Sequence, residues 1–179
     1  MKAYWLVAAA VALVGCGSGS VESSPAEPRT FELDWVEDSP ESGLAFRVDR
    51  LVVRPDGWEV TASVANRSSA GYAIRRPHRP GESMFGLVIL QTAGNDELRE
   101  LTADFRKAPP FLEPDRIEPP LPRVLSPGLS WRGTMSGSRA LRKGAAVRVL
   151  FGRFERTRGD PGYLLWVTRH AVRLEPEGA

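Results

Sequence analysis

A single cysteine, Cys16, and two histidines, His78 and His170, are all this chain offers of the side chains most used in redox and metal chemistry. One thiol cannot close an intrachain disulfide, so folding must rest on a packed core. A metal site needs several convergent ligands, and no His-x-His or Cys-His spacing supplies them; no metal and no other cofactor is expected. Asp96, Glu97, Glu100 and Asp104 cluster, but without the glycine-centred loop of a calcium site, and a solvated face is the plainer account. No nucleotide motif is present. Gly81-Glu82-Ser83-Met84-Phe85 misses the nucleophile elbow, because Phe85 stands where the elbow needs glycine. A membrane-spanning run is missing too: Ala3 to Val14 falls short of the roughly 20 apolar residues that cross a hydrocarbon core. Strong charge of either sign is absent. The formal net charge is +2, and without Lys2, the only charged side chain before Cys16, it is 2 − 1 = +1. Nucleic acid would want a concentrated basic face with interleaved aromatics, which this composition does not show.

What the N-terminus does contain is ordered. Lys2 is a minimal positive region, Ala3 to Val14 is an apolar segment, and Gly15 precedes Cys16. Leu13-Val14-Gly15-Cys16 resembles the lipobox of bacterial lipoprotein signal peptides, which are cut before a cysteine whose thiol has been diacylated. The resemblance implies a signal peptide over 1–15, lipid attachment at Cys16 and an extracytoplasmic protein anchored to a bacterial membrane. Two acyl chains anchor stably where one does not, since each buried methylene contributes about 0.8 kcal/mol. From Gly17 to about Thr30 the chain is rich in Gly, Ser, Pro and Glu, and it reads as a flexible tether over 16–30 with a span on the order of 20 Å.

Residues 31–179 read as one all-β domain. Phe31 to Val36 alternates as a short first strand. Leu44, Phe46 and Val48 alternate, and Leu51 and Val53 continue in the opposite phase, which predicts a bulge near Asp49 and Arg50. Pro55-Asp56-Gly57 is turn chemistry before Trp58, Val60, Ala62 and Val64, so the pair is a hairpin. Tyr72 to Ile74 and the apolar run through Leu87-Val88-Ile89-Leu90 are further strands. Over 96–105 a helical face and a strand face both fit, and the preceding turn favours a strand. Lys107 to Gly128 holds so many prolines that a long ordered loop is expected there, without a regular ladder. Leu129, Trp131, Gly133 and Met135 alternate, as do Val147, Val149 and Phe151. Tyr163 to Glu175 is a last long strand with Leu164, Trp166, Thr168, Val172 and Leu174 inward. About seven to eight strands predict an antiparallel β-sandwich. Val64-Ala65-Asn66, with Leu125-Ser126-Pro127-Gly128 leading into Trp131-Arg132-Gly133-Thr134, is similar to the immunoglobulin-like domains of exported bacterial lipoproteins. That resemblance implies an Ig-like fold and an accessory, non-enzymatic role.

Two segments stand out as candidate partner-binding surfaces. Pro119-Pro120-Leu121-Pro122 can present a polyproline ridge, although such a segment more often seals a sheet edge. Arg75, Arg76 and Arg79 can rest on anionic headgroups, against the plainer reading of a solvated loop. Arg158-Gly159-Asp160 spells an integrin-binding tripeptide, yet turn chemistry alone calls for those residues. The expected partners are the membrane, through the lipid, and an envelope protein or cell-wall component. The alternatives are a small envelope enzyme using His78 or His170, and an exported protease inhibitor presenting the proline loop.

Overall fold

Alternation of apolar and polar side chains carries straight into the structure, a computed structural model that describes residues 24–74, 85–96, 99, 110–159 and 163–174. The strands are β1 (Arg29–Ser39), β2 (Leu44–Arg54), β3 (Gly57–Asn66), β4 (Tyr72–Ile74), β5 (Gly86–Leu90), β6 (Phe111–Leu112), β7 (Arg116–Glu118), β8 (Val124–Leu125), β9 (Ser130–Gly137), β10 (Ala146–Arg156), β11 (Tyr163–Val167) and β12 (Val172–Arg173). Every pairing is antiparallel. One sheet runs β1-β2-β3-β9-β7. The other is built on β10, with β5 and β4 along one side, continued by β6 and β8, and β11 and β12 along the opposite side. The two sheets stack as a sandwich around a shared core.

The hairpin of β2 and β3 forms as its pattern predicts. Phe46 pairs with Val64 and Val53 with Trp58, and the register slips between Val48 and Arg50, so Asp49 is the bulged residue. β1 answers with its own irregularity between Glu32 and Trp35, where Asp34 takes a positive φ of 47°. Phe46 is the centre of the core, 5.0 Å from the ring of Phe151, 5.7 Å from that of Phe154, and stacked on Trp166 at 5.1 Å. The outward face of the first sheet is ionic instead. Arg47 pairs with Asp34 and Asp49, Arg132 with Asp49, and Arg50 and Arg54 with Glu59. An exposed pair of this kind contributes about 1 kcal/mol or less. Full burial of a phenylalanine contributes about 2 to 3 kcal/mol, so the inner face decides the fold.

Several details depart from the pattern. The described residues hold twelve strands, not seven or eight, because short pairings appear where none was expected. Within 107–128, β6, β7 and β8 fit between the prolines: each is two or three residues long and lies at the margin of a sheet, where a missing N–H costs no ladder bond. The last long strand is broken into β11 and β12, with Thr168 buried at the break. Asn95, Asp96 and Arg99 have helical backbone, against the strand favoured there; Asn and Asp start helices as readily as they make turns. Leu129 falls just before β9 and is 56% exposed, although its spacing put it in the inward row.

Candidate functional site

The registers give the sandwich two ends. Ser39, Leu44, Asn66 and Ser130 share one end of the first sheet, as Tyr72, Leu125 and Arg156 do of the second. Asn66, 1% exposed, ties them together. Its Nδ2 donates to Ala70 O at 2.7 Å and to Leu125 O at 3.0 Å, and its Oδ1 accepts from Ser68 N and Oγ. Ser126-Pro127-Gly128-Leu129 is a type II turn: Leu129 N donates to Ser126 O at 3.1 Å, and Gly128 supplies the φ of 75° the turn demands. Gly128 N in turn donates to Asn66 O at 2.9 Å. The two motifs that carry the immunoglobulin-like resemblance are therefore in direct contact. Tyr72 Oη donates to Ser42 O at 2.6 Å, fastening the β1–β2 turn to the same end.

The proline segment crosses between the sheets on this half of the molecule. It leaves β7 after Glu118, whose peptide bond to Pro119 is cis, and enters β8, which pairs with β4. Trp131 Nε1 donates to Pro119 O at 3.0 Å. Gly133 permits this approach, because a Cβ there would stand 2.6 Å from Glu118 O. Pro119 and Pro120 are exposed, Leu121 and Pro122 are half-buried, and Leu121 packs on the core. Beside them Val124, 42% exposed, and Leu129 present apolar surface to solvent. Together these residues make a rim whose backbone is held at Pro119, Leu125, Gly128 and Leu129.

Of the other expected site residues, Cys16, Arg75, Arg76, Arg79 and His78 lie outside the described residues, as does Asp160. The described strand residues nearest to 75–84 in sequence lie on the second sheet, Ile74 opposite Phe154 and Gly86 opposite Leu150. His170 is exposed, its ring 5.5 Å from that of Trp35. Among the described residues it hydrogen-bonds neither a serine nor a carboxylate through its side chain, and no group of three or more metal-ligating side chains occurs. Nor is any described helix long and apolar enough to cross a membrane.

Two buried charges escaped the sequence reading. Glu37, on β1, accepts from Trp166 Nε1 at 3.0 Å and from Arg169 N at 2.7 Å, clasping the edge of one sheet to the edge of the other. Arg148, 1% exposed on β10, donates to Thr168 O, Arg169 O, Ala93 O, Gly94 O and Asn95 Oδ1 at 2.7 to 3.2 Å. Burial lowers its pKa below the ordinary guanidinium value, and the Glu37 carboxylate opposes that shift. The alternation of Val147, Val149 and Phe151 does place Arg148 on the outer face. What it could not disclose is that this face carries an apolar cluster of its own, Val88, Leu90, Ala146 and Leu150, and is closed over by the Ala93–Asn95 and Thr168–Arg169 segments that accept from Arg148.

At the opposite end of the sandwich the chain enters. Ala26 N donates to Leu141 O at 2.7 Å and Lys143 N to Ser24 O at 3.1 Å, so the described part of the expected tether, residues 24–30, is already held on the domain. Ala26 is buried and β1 begins at Arg29, because backbone pairing offsets the poor apolar content there. A groove of about 610 Å³ opens beside this turn, between Ile89–Gln91, Pro110, Leu112 and Arg139–Ala145. Asp115 closes the neighbouring turn: Ser138 donates to it through Oγ and N, both at 2.6 Å, which lowers its carboxyl pKa. Comparison of the chain with protein-family models, with curated proteins and with solved structures found no match.

Proposed function

We propose that the chain is a membrane-anchored envelope lipoprotein whose sandwich, an immunoglobulin-like domain, serves as a non-enzymatic binding or scaffold module for a partner outside the cytoplasm. The observation that carries this reading is the rim at the end opposite chain entry, where Pro119, Pro120, Val124 and Leu129 expose apolar surface on a backbone fastened by Asn66 and Trp131. A rigid ridge loses little conformational freedom on binding, so its apolar area converts efficiently into affinity. Leu13-Val14-Gly15-Cys16 supports the anchor, and contact between Asn66 and the Leu125–Gly128 motif supports the domain assignment.

The partner is tested by placing a photocrosslinking residue at position 120 of the full chain in cells. One discrete adduct is expected, and Leu129→Asp should abolish it. No adduct, or an adduct indifferent to Leu129→Asp, would remove the rim from consideration. The anchor is tested separately, by palmitate labelling and detergent-free fractionation of Cys16→Ser, which should lose both label and membrane association.

A further inference from the structure

Resting on the lipoprotein reading, we infer that the entry end of the sandwich docks on the anionic headgroups of the bilayer that holds Cys16, with Arg139 and Arg142 as the headgroup contacts. Seven residues lie between Cys16 and Ser24, which is bonded to the 141–143 turn. A flexible chain of that length spans about 15 Å. The eleven residues of β10 run about 36 Å from the entry end toward the far one. The tether therefore brings the entry end to the membrane and holds the proline rim away from it.

The surface presented there suits phosphate. Arg139, Arg142 and Lys143 line the groove with Leu90, Pro110 and Leu112, and among the described residues no carboxylate lines it. Lys143 is engaged by Glu27 at 2.9 Å. Arg139 and Arg142 are exposed and make no side-chain hydrogen bond or ion pair among the described residues, although the Asp115 carboxylate feels the charge of Arg139. At the far end Arg67 is paired with Asp38, and Arg156 donates to the Glu41 carbonyl. Arg123 and Arg158 are exposed there as well, so it is the reach of the tether that singles out the entry end. Juxtamembrane guanidinium groups gain from the negative surface potential only within about a Debye length, roughly 8 Å at physiological salt, and a tether of about 15 Å lets the entry end come that close.

Because Cys16 is the only cysteine, the full chain can be coupled through it to maleimide-bearing vesicles. Amide hydrogen exchange over residues 141–145 is then compared on phosphatidylcholine and on an equimolar phosphatidylcholine–phosphatidylglycerol mixture. Exchange should slow on the anionic vesicles only, by up to about thirtyfold, the order expected from two basic contacts of about 1 kcal/mol each, and Arg139→Gln with Arg142→Gln should abolish the difference. Equal exchange on both surfaces, or slowing that survives the double substitution, would overturn the inference. So would loss of the effect in Arg75→Gln/Arg76→Gln/Arg79→Gln alone. Thiol coupling needs no acylation in the cell, so this result stands apart from palmitate labelling, and the two readings fail separately.

Discussion

Arg148 sits where a charged residue is least expected, third in β10, a strand whose first seven residues are all buried. Its guanidinium has no carboxylate in contact, and what holds it is a set of four backbone carbonyls and the Asn95 amide oxygen. The fork of a guanidinium reaches several acceptors at once, which a lysine ammonium with three donors cannot do for five. Arg148→Met should lower unfolding free energy by about 2 to 4 kcal/mol, since the buried Thr168 carbonyl is left unpaired and four part-buried acceptors lose their donor. Arg148→Lys should recover part of that loss. Urea titration of both variants checks the order, and a methionine variant as stable as the parent would show that water replaces the arginine. At this scale the sequence is hard to read: an arginine between two valines signals an outward position, and only the Ala93–Asn95 and Thr168–Arg169 segments, folded back onto that face, make it a buried one.

Among the elements, those set by local chemistry were legible. The β2–β3 hairpin, its Pro55-Asp56-Gly57 turn and the bulge at Asp49 follow from residues within a few positions of one another. The partnership of Asn66 with Leu125 spans 59 positions, and its two halves were visible only as separate motifs. Its weight can be measured. Asn66→Ala strips the donors from Ala70 O and Leu125 O and the acceptor from Ser68, and a loss of about 2 to 4 kcal/mol is expected. The denaturant midpoint should fall with the m-value unchanged, because the sheets on either side stay paired. Prolines misled at the same scale. They forbid a central strand, and the chain uses them to bound very short marginal ones. Of the candidate rim, Pro119 to Pro122 was legible from composition, whereas Val124 and Leu129 were not, because exposure at a turn is settled by where the opposite strand ends.

For the whole molecule, the question is whether two sheets make one cooperative unit. The main core draws on both, with Phe46 and Trp58 from one and Phe151, Phe154 and Trp166 from the other. The Glu37 clasp closes one side and the proline crossover the other. Trp58 and Trp131 lie in the first sheet and Trp166 in the second, so tryptophan fluorescence samples both. Its urea transition should coincide with that of far-UV circular dichroism. Separated transitions would mean that the sheets melt independently. The all-β class was legible in strand periodicity, but the clasp was not, since it joins residues more than a hundred positions apart. One feature at this scale bears on how the protein is handled. Leu174 O accepts from Gly144 N, and Leu174 N donates to Ala145 O, on the same turn that receives Ser24. Whatever follows Leu174 therefore departs beside the incoming chain, and a reporter meant for the proline rim belongs at the exposed residues Arg158 and Gly159 instead.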